Sequence, residues 1–329
     1  MKKLINNPNK VVTEMLLGLS KSNPNLLYSG DGLEVISRRE KKKNKVGLIS
    51  GGGSGHEPAH AGFVGKGMLD AAVSGNVFAS PSPDRIIAGI KAADSGSGVL
   101  MIIKNYSGDV MNFQMAGELA KMEQIETDYV IVRDDVAVAD STYSTGRRGI
   151  AGTVFVHKIA GAAAEAGKTL KEVKAIAEKT IQNTRSMGMA ISPCILPGVG
   201  KPGFVLAEDE VEIGMGIHGE PGIHREKIST AKEIAEKLLD KILEDYDYSN
   251  SEIAVIVNGL GGTPLMELYI MYHEVETYLS QKGISIYRSF VGNYMTSLEM
   301  AGCSVSLLKL DDELKTYLDA PAVTAALKV

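Results

Sequence analysis

The sequence predicts an α/β protein of two units, and three observations lead there. Short apolar runs alternate with longer amphipathic stretches. Two of the apolar runs pass directly into glycine-rich segments. After about Ser186 a cluster of prolines and glycines interrupts the pattern. At roughly 150 residues per domain, a chain of 329 residues has room for two.

In chain order, residues 46–50 read as a buried strand running into a glycine loop, and 98–103 and 129–132 as two more strands. Residues 110–122 have helical spacing, with Phe113, Met115, Leu119 and Met122 forming the stripe expected to be buried. Residues 149–167 and 170–184 repeat small and apolar residues at helical intervals, and the alanines between 160 and 166 favour close helix packing. Pro193, Pro197, Gly198, Gly200, Pro202 and Gly203 then break any regular element. The junction falls between a unit of residues 1–183 and a unit of residues 184–329. Beyond it come a strand at 210–217, a helix at 229–246 and a strand at 252–257 leading to a second glycine loop, 258–264. A helix at 266–282 and strands at 284–291 and 303–308 complete the reading.

Composition excludes several classes. Aromatic residues make up 5% and tryptophan is absent, which argues against a stacking platform for single-stranded nucleic acid. With 35 Lys and Arg against 40 Asp and Glu, the net charge of −5 gives no basic footprint for nucleic acid. The one basic run, residues 38–45, is expected to be a solvated turn. Cys194 and Cys303 are too few and too far apart for a disulfide framework or a zinc site, which points to a reducing, cytoplasmic setting. The first residues lack the apolar core of a signal peptide, and no stretch reaches the ~18 apolar residues of a membrane span.

Three segments could carry chemistry. Ser50-Gly51-Gly52-Gly53-Ser54-Gly55-His56-Glu57-Pro58 follows a strand, where consecutive glycines let the backbone approach a ligand. It matches neither a P-loop nor a dinucleotide fingerprint, and a tight structural turn explains it equally well. Lys104-Asn105-Tyr106-Ser107-Gly108-Asp109 also ends an apolar run. Lys104 could hold a substrate oxygen and Asp109 accept a hydroxyl proton, but Asp109 is also well placed to cap the next helix. In the third, residues 210–222, alternation sets Val211, Ile213, Met215 and Ile217 on one face. Glu212, Gly214, Gly216 and His218 fall on the other. Two glycines below His218 leave room for a small molecule, and a neutral imidazole can add to a carbonyl carbon. A turn histidine bonded to backbone fits the same spacing. His60 and His157 read as satisfied core or surface residues, and His224 and His273 as surface residues. Asp134-Asp135 reads as a capping or solvated pair rather than a metal site.

Taken together, these segments resemble the K subunits of bacterial dihydroxyacetone kinases, a Dak1-type family. Ser74-Gly75-Asn76-Val77-Phe78-Ala79-Ser80-Pro81, Gly146-Arg147-Arg148-Gly149, Asn258-Gly259-Leu260-Gly261 and Gly292-Asn293-Tyr294-Met295-Thr296-Ser297-Leu298 agree with it. The resemblance runs nearly end to end. It implies that each unit is a mixed or mostly parallel sheet flanked by helices. It also implies that His218 binds dihydroxyacetone covalently as a hemiaminal, a step that glycerol, lacking a carbonyl, cannot undergo. Gly53, Ser54, Gly55 and His56 would line the substrate, and Lys104 and Asp109 would bind its hydroxyls. Asp109 and His56 would activate the hydroxyl that takes the phosphoryl group, with His56 as proton acceptor.

The family's ATP-using members add a nucleotide-binding domain that this sequence does not show. The resemblance is therefore to the phosphoenolpyruvate-dependent phosphotransferase type, active only with partners. It implies no metal or cofactor in this chain, ADP and magnesium on an L subunit, an M subunit acting through L, and a homodimer. A rival within the family is a dihydroxyacetone-binding coactivator that works with a transcriptional regulator. The presence together of His56, Lys104 and Asp109 favours catalysis. An oxidoreductase reading fails for want of a dinucleotide fingerprint.

Overall fold

The computed structural model describes residues 2–139 and 145–329. Two six-stranded sheets are stacked with helical layers between and outside them. The first sheet contains β1 (Leu26–Ser29), β2 (Val35–Arg38), β3 (Gly47–Ser54), β5 (Ala71–Val77), β6 (Val99–Lys104) and β7 (Thr127–Val132), with β4 (Gly65–Lys66) lying outside it. Its order is β1-β2-β5-β3-β6-β7, parallel from β5 to β7 and antiparallel at the β1–β2 end. The second contains β8 (Thr184–Ser192), β9 (Glu210–Ile213), β10 (His224–Lys227), β11 (Glu252–Gly259), β12 (Ser285–Gly292) and β13 (Ala301–Leu310), in the order β10-β9-β8-β13-β11-β12. Only β11 and β12 pair in parallel there, so both sheets are mixed.

Strand periodicity explains the layering. Along β6, Leu100 and Ile102 face the middle of the molecule while Val99, Met101 and Ile103 face outward. Outward lie α2 (Pro83–Ala93) and α3 (Ser107–Met122); inward lie α4 (Thr153–Glu165) and α5 (Leu170–Gln182). The inner helices also meet the second sheet through Ile256 and Leu308, while Val255 and Leu307 turn to α6 (Ala231–Asp245) and α7 (Leu265–Gln281) beyond it. Helix α4 is buried nearly all round, as its alanine-rich sequence permits. Capping boxes at Thr169 with Glu172 and at Thr230 with Glu233 start α5 and α6.

Strand pairing crosses the 183/184 division. After α8 (Asp312–Asp319), β14 (Val323–Thr324) returns to pair with β4 of the first unit, and the Ala326 amide donates to the Gly62 carbonyl at 2.9 Å.

Several expectations need correction. In α3 the buried face is Phe113, Ala116, Gly117 and Ala120, whereas Met115, Leu119 and Met122 are exposed, so residue size misidentified the stripe. The strand expected at 210–217 ends at Ile213, because Gly214 adopts a φ of +80° and turns the chain. The first glycine loop is largely strand, since β3 runs on through Ser54. The basic run is solvated only in its middle: Arg38 pairs with Asp70 at 3.0 Å and Glu165 at 2.6 Å, and Lys45 is buried against Asp70. The elements before residue 46, and β5 and α2, lay outside the apolar-run reading altogether.

Candidate functional site

The carboxyl ends of β3 and β6 are adjacent, and an α/β sheet presents ligand sites at such ends. β3 delivers Gly52, Gly53 and Ser54; β6 ends in Lys104; the first turn of α3 supplies Asp109. Lys104 and Asp109 are both buried. A Cβ on Gly52, whose φ is +154°, would lie 3.2 Å from Asp109 Oδ2 and 3.3 Å from Lys104 Nζ. The glycine therefore keeps open the floor over which both head groups sit. Asp109 does not cap α3; its carboxylate accepts from the Ser80 hydroxyl in the loop after β5.

Lys104 Nζ has no hydrogen-bond partner among the described residues. Burial lowers its pKa, while Asp109 and Glu220 pull the other way. Burial raises the Asp109 carboxyl against the opposing pull of Lys104. An unpaired buried ammonium costs several kcal/mol by rough rule, so this one is poised to receive an oxygen ligand.

The second unit contributes His218 from the turn between β9 and β10. Its Nε2 lies 3.1 Å from Nε2 of His56. The other ring nitrogens are committed: His56 Nδ1 donates to the Thr296 carbonyl at 2.8 Å, and His218 Nδ1 donates to Glu220 Oε1 at 2.8 Å. A carbonyl and a carboxylate only accept here, so each Nδ1 carries a proton. The Nε2–Nε2 contact then requires one further proton between the rings. Burial, then Lys104 and His218, push His56 well below the usual imidazole range. Phe78 stacks on His56 with centroids 5.2 Å apart, and the edges of Phe78 and Tyr106 confine His218.

Thr296 is held in turn by Asn258. Its Nδ2 donates to the Met295 carbonyl at 2.7 Å, and its Oδ1 accepts the amides of Tyr294 and Met295, each at 2.9 Å. Amides of the same loop reach back to Gly55 and His56: Leu298 N donates to Gly55 O at 2.7 Å and Thr296 N to His56 O at 3.2 Å.

Of the residues named from sequence, His56, Lys104, Asp109 and His218 converge. Ser54 points elsewhere, its hydroxyl donating to the Gly75 carbonyl at 2.8 Å. Gly53 packs against the backbone of Phe78 and Ala79, and Gly55 against the Phe78 ring. Sequence reasoning passed over Glu220, Phe78, Tyr106, Arg148 and Thr296, although all lie in or beside motifs it had quoted. Asp134 and Asp135 are buried rather than solvated. Asp134 accepts from the Ile150 and Gly152 amides and the Ser186 hydroxyl, and Asp135 pairs with Arg148 at 2.7 Å. His60 and His157 form a buried pair at 2.9 Å, with His60 Nε2 and His157 Nδ1 left unpartnered among the described residues. No group of three or more His, Cys, Asp or Glu suited to a metal ion occurs among the described residues.

Fold and site define a two-sheet α/β protein with an enclosed histidine pair facing a lysine and an aspartate. The chain belongs to the Dak1 domain family, which matches residues 17–326. It is 54% identical over 314 residues to the dihydroxyacetone-binding subunit of a PTS-dependent dihydroxyacetone kinase of Listeria innocua, covering 95% of each chain. Among solved structures, it superposes on a dihydroxyacetone kinase operon co-activator with a TM-score of 0.90 at 39% identity, covering 95% of this chain and 97% of that one. It also superposes on the dihydroxyacetone kinase of C. freundii in complex with AMP-PNP and Mg2+, with a TM-score of 0.93 at 36% identity. That match covers 99% of this chain and 61% of the other.

Proposed function

We propose that this chain is the dihydroxyacetone-binding subunit of a phosphoenolpyruvate-dependent dihydroxyacetone kinase. The observation that carries the reading is the 3.1 Å approach of His218 Nε2 to His56 Nε2, beside the unpaired Lys104 ammonium and Asp109. The high identity to a PTS-dependent kinase subunit supports the same reading.

As dihydroxyacetone enters, the proton between the rings passes to His56, freeing the His218 Nε2 lone pair. That pair forms a C–N bond to the ketone carbon, and the carbonyl π electrons move to oxygen. The oxygen takes the proton from His56, completing a hemiaminal. His56 Nε2 is then unprotonated and accepts the proton of the terminal hydroxyl as that oxygen attacks the terminal phosphorus of the nucleotide on the partner subunit. The P–O bond there breaks to release the nucleoside diphosphate. A positioned base contributes ~10²–10⁴-fold in such a step. Lys104 and Asp109 hold the hydroxyls. Glycerol has no carbonyl to capture and is rejected.

The phosphoryl donor is a nucleotide with magnesium on an L subunit, recharged through an M subunit, and this chain works as a cytoplasmic homodimer. Among its described residues, no helix is long and apolar enough to cross a membrane. The test is a coupled assay of dihydroxyacetone phosphorylation with purified L and M subunits, run beside His56→Asn. Turnover by the wild type that falls at least a hundredfold in the variant supports the reading. The likeness to a co-activator favours a second reading, a dihydroxyacetone-binding partner of a transcriptional regulator. Capture on His218 without turnover would move that reading to first place.

A further inference from the structure

We infer that Glu220, steadied by Arg148, is a positioning residue that commits His218 to react through Nε2 and offsets the charge of the ring once substrate is attached. The inference rests on the covalent reading above.

Glu220 is withdrawn from solvent and clamps its neighbour twice. Oε1 accepts from His218 Nδ1 at 2.8 Å, and Oε2 accepts from the His218 backbone amide at 2.8 Å. The carboxylate thus fixes both ring rotation and tautomer. An imidazole whose Nδ1–H is held by an acceptor has its lone pair on Nε2, the atom that faces His56.

Arg148 completes the arrangement. A Cβ at Gly216 would lie 2.1 Å from Glu220 Oε2 and 2.7 Å from Arg148 Nη1, so carboxylate and guanidinium crowd the same point and only glycine leaves them room. Arg148 is fully buried, bonded to Asp135 Oδ2 at 2.8 Å through Nε and to the Gly214 carbonyl at 2.7 Å through Nη2. Charges alternate along this line, from Asp135 through Arg148 to Glu220, which bonds His218. Burial works to raise the Glu220 carboxyl, but His218, its hydrogen bonds and Arg148 outweigh that and hold it down to about 2.

The balance of the capture step shows why a carboxylate is needed. When Nε2 bonds to carbon and the carbonyl oxygen takes its proton from His56, the ring still carries Nδ1–H. It is therefore an N-substituted imidazolium with a full positive charge. Lys104 and Arg148 lie nearby, each facing a carboxylate of its own in Asp109 and Asp135. Glu220 is the anion in direct contact with that ring, and without it the C–N bond reverts to the free ketone and unmodified imidazole.

The experiment follows [2-13C]dihydroxyacetone on the intact chain by 13C NMR, scoring conversion of the ketone carbon to a tetrahedral one. Wild type, Glu220→Gln and Glu220→Asp are compared, with 15N NMR of the His218 ring and thermal unfolding alongside. Glu220→Gln should lower the adduct equilibrium roughly tenfold to a hundredfold, the worth of one charge-assisted hydrogen bond. Its His218 ring should lose the fixed proton on Nδ1 that the carboxylate holds there. Glu220→Asp, which keeps the charge on a shorter arm, should recover part of the adduct. Full adduct in a folded Glu220→Gln overturns the inference, and so does an Asp variant no better than Gln at equal thermal stability. A wild-type chain that forms no tetrahedral carbon overturns the covalent reading itself, and the inference with it.

Discussion

Asn258 sits outside the reacting centre yet supports it through one loop, and Asn258→Ala tests that support. The side chain is fully buried and serves four partners: the Met295 carbonyl, the Ser304 hydroxyl, and the amides of Tyr294 and Met295. Truncation strands two amides and a carbonyl. At ~1–3 kcal/mol for each buried group left unpaired, with some relaxation, the loss is roughly 3–5 kcal/mol. Unfolding entropy near ~2.1 cal/mol/K per residue gives about 0.7 kcal/mol/K over 329 residues. The expected fall in Tm is therefore about 4–7 °C. The Thr296 carbonyl that holds His56 Nδ1 lies in the same loop, so turnover in the coupled assay should fall by more than tenfold at a temperature where the variant is folded. Calorimetry and the coupled assay read the two effects. A Tm within about a degree of wild type, or full turnover, would refute the argument that Asn258 carries the loop.

Lys104→Met removes the unpaired ammonium while keeping the side chain's length. Dihydroxyacetone affinity, read by isothermal titration, should drop roughly tenfold to a hundredfold, the range for a hydrogen bond to a charged group. Stability should hold or rise, because a desolvated charge is gone. His157 is the other informative site. Burial, then Lys104, lower it to about 3, so the unfolded chain binds its proton first. The neutral ring's contribution is thus present above pH 6.5 and is lost as pH falls toward 3. Urea unfolding at pH 6.5 and pH 5 should show wild type losing about 2 kcal/mol more than His157→Asn. Equal losses in the two proteins would refute the neutral buried state.

The layers and the four converging groups were legible because each lies at the end of an apolar run, where a change of texture marks the emergence of a strand. Val99, Leu100, Met101, Ile102 and Ile103 advertise a strand buried on both faces, and Lys104 stands out against them. The supporting groups were hidden for physical reasons. Glu220 beside Pro221 and Gly222 has the texture of an exposed turn, and nothing local indicates that an arginine 72 positions earlier lies near it. Thr296 acts through its carbonyl, which no side-chain pattern encodes. The part played by Ser54 was not legible, since a hydroxyl after glycines serves a neighbouring carbonyl as readily as a substrate. In α3, helical spacing fitted two faces, and tertiary packing selected the smaller residues because the sheet lies close beneath.

The strand pairing of residues 323–324 with 65–66 has a consequence for how the protein is made. The segment that carries His56, Pro58 and His60 is translated early, but Gly62 beside it waits for the Ala326 amide, and Gly65 and Lys66 for β14. On a ribosome the histidine segment is therefore open at one side until more than 260 further residues have emerged. Its partner histidine, His218, and the Thr296 carbonyl also arrive late. Reactive chemistry is thus withheld from the nascent chain, and the site closes only when residues 323–326 return to a segment made about 260 positions earlier.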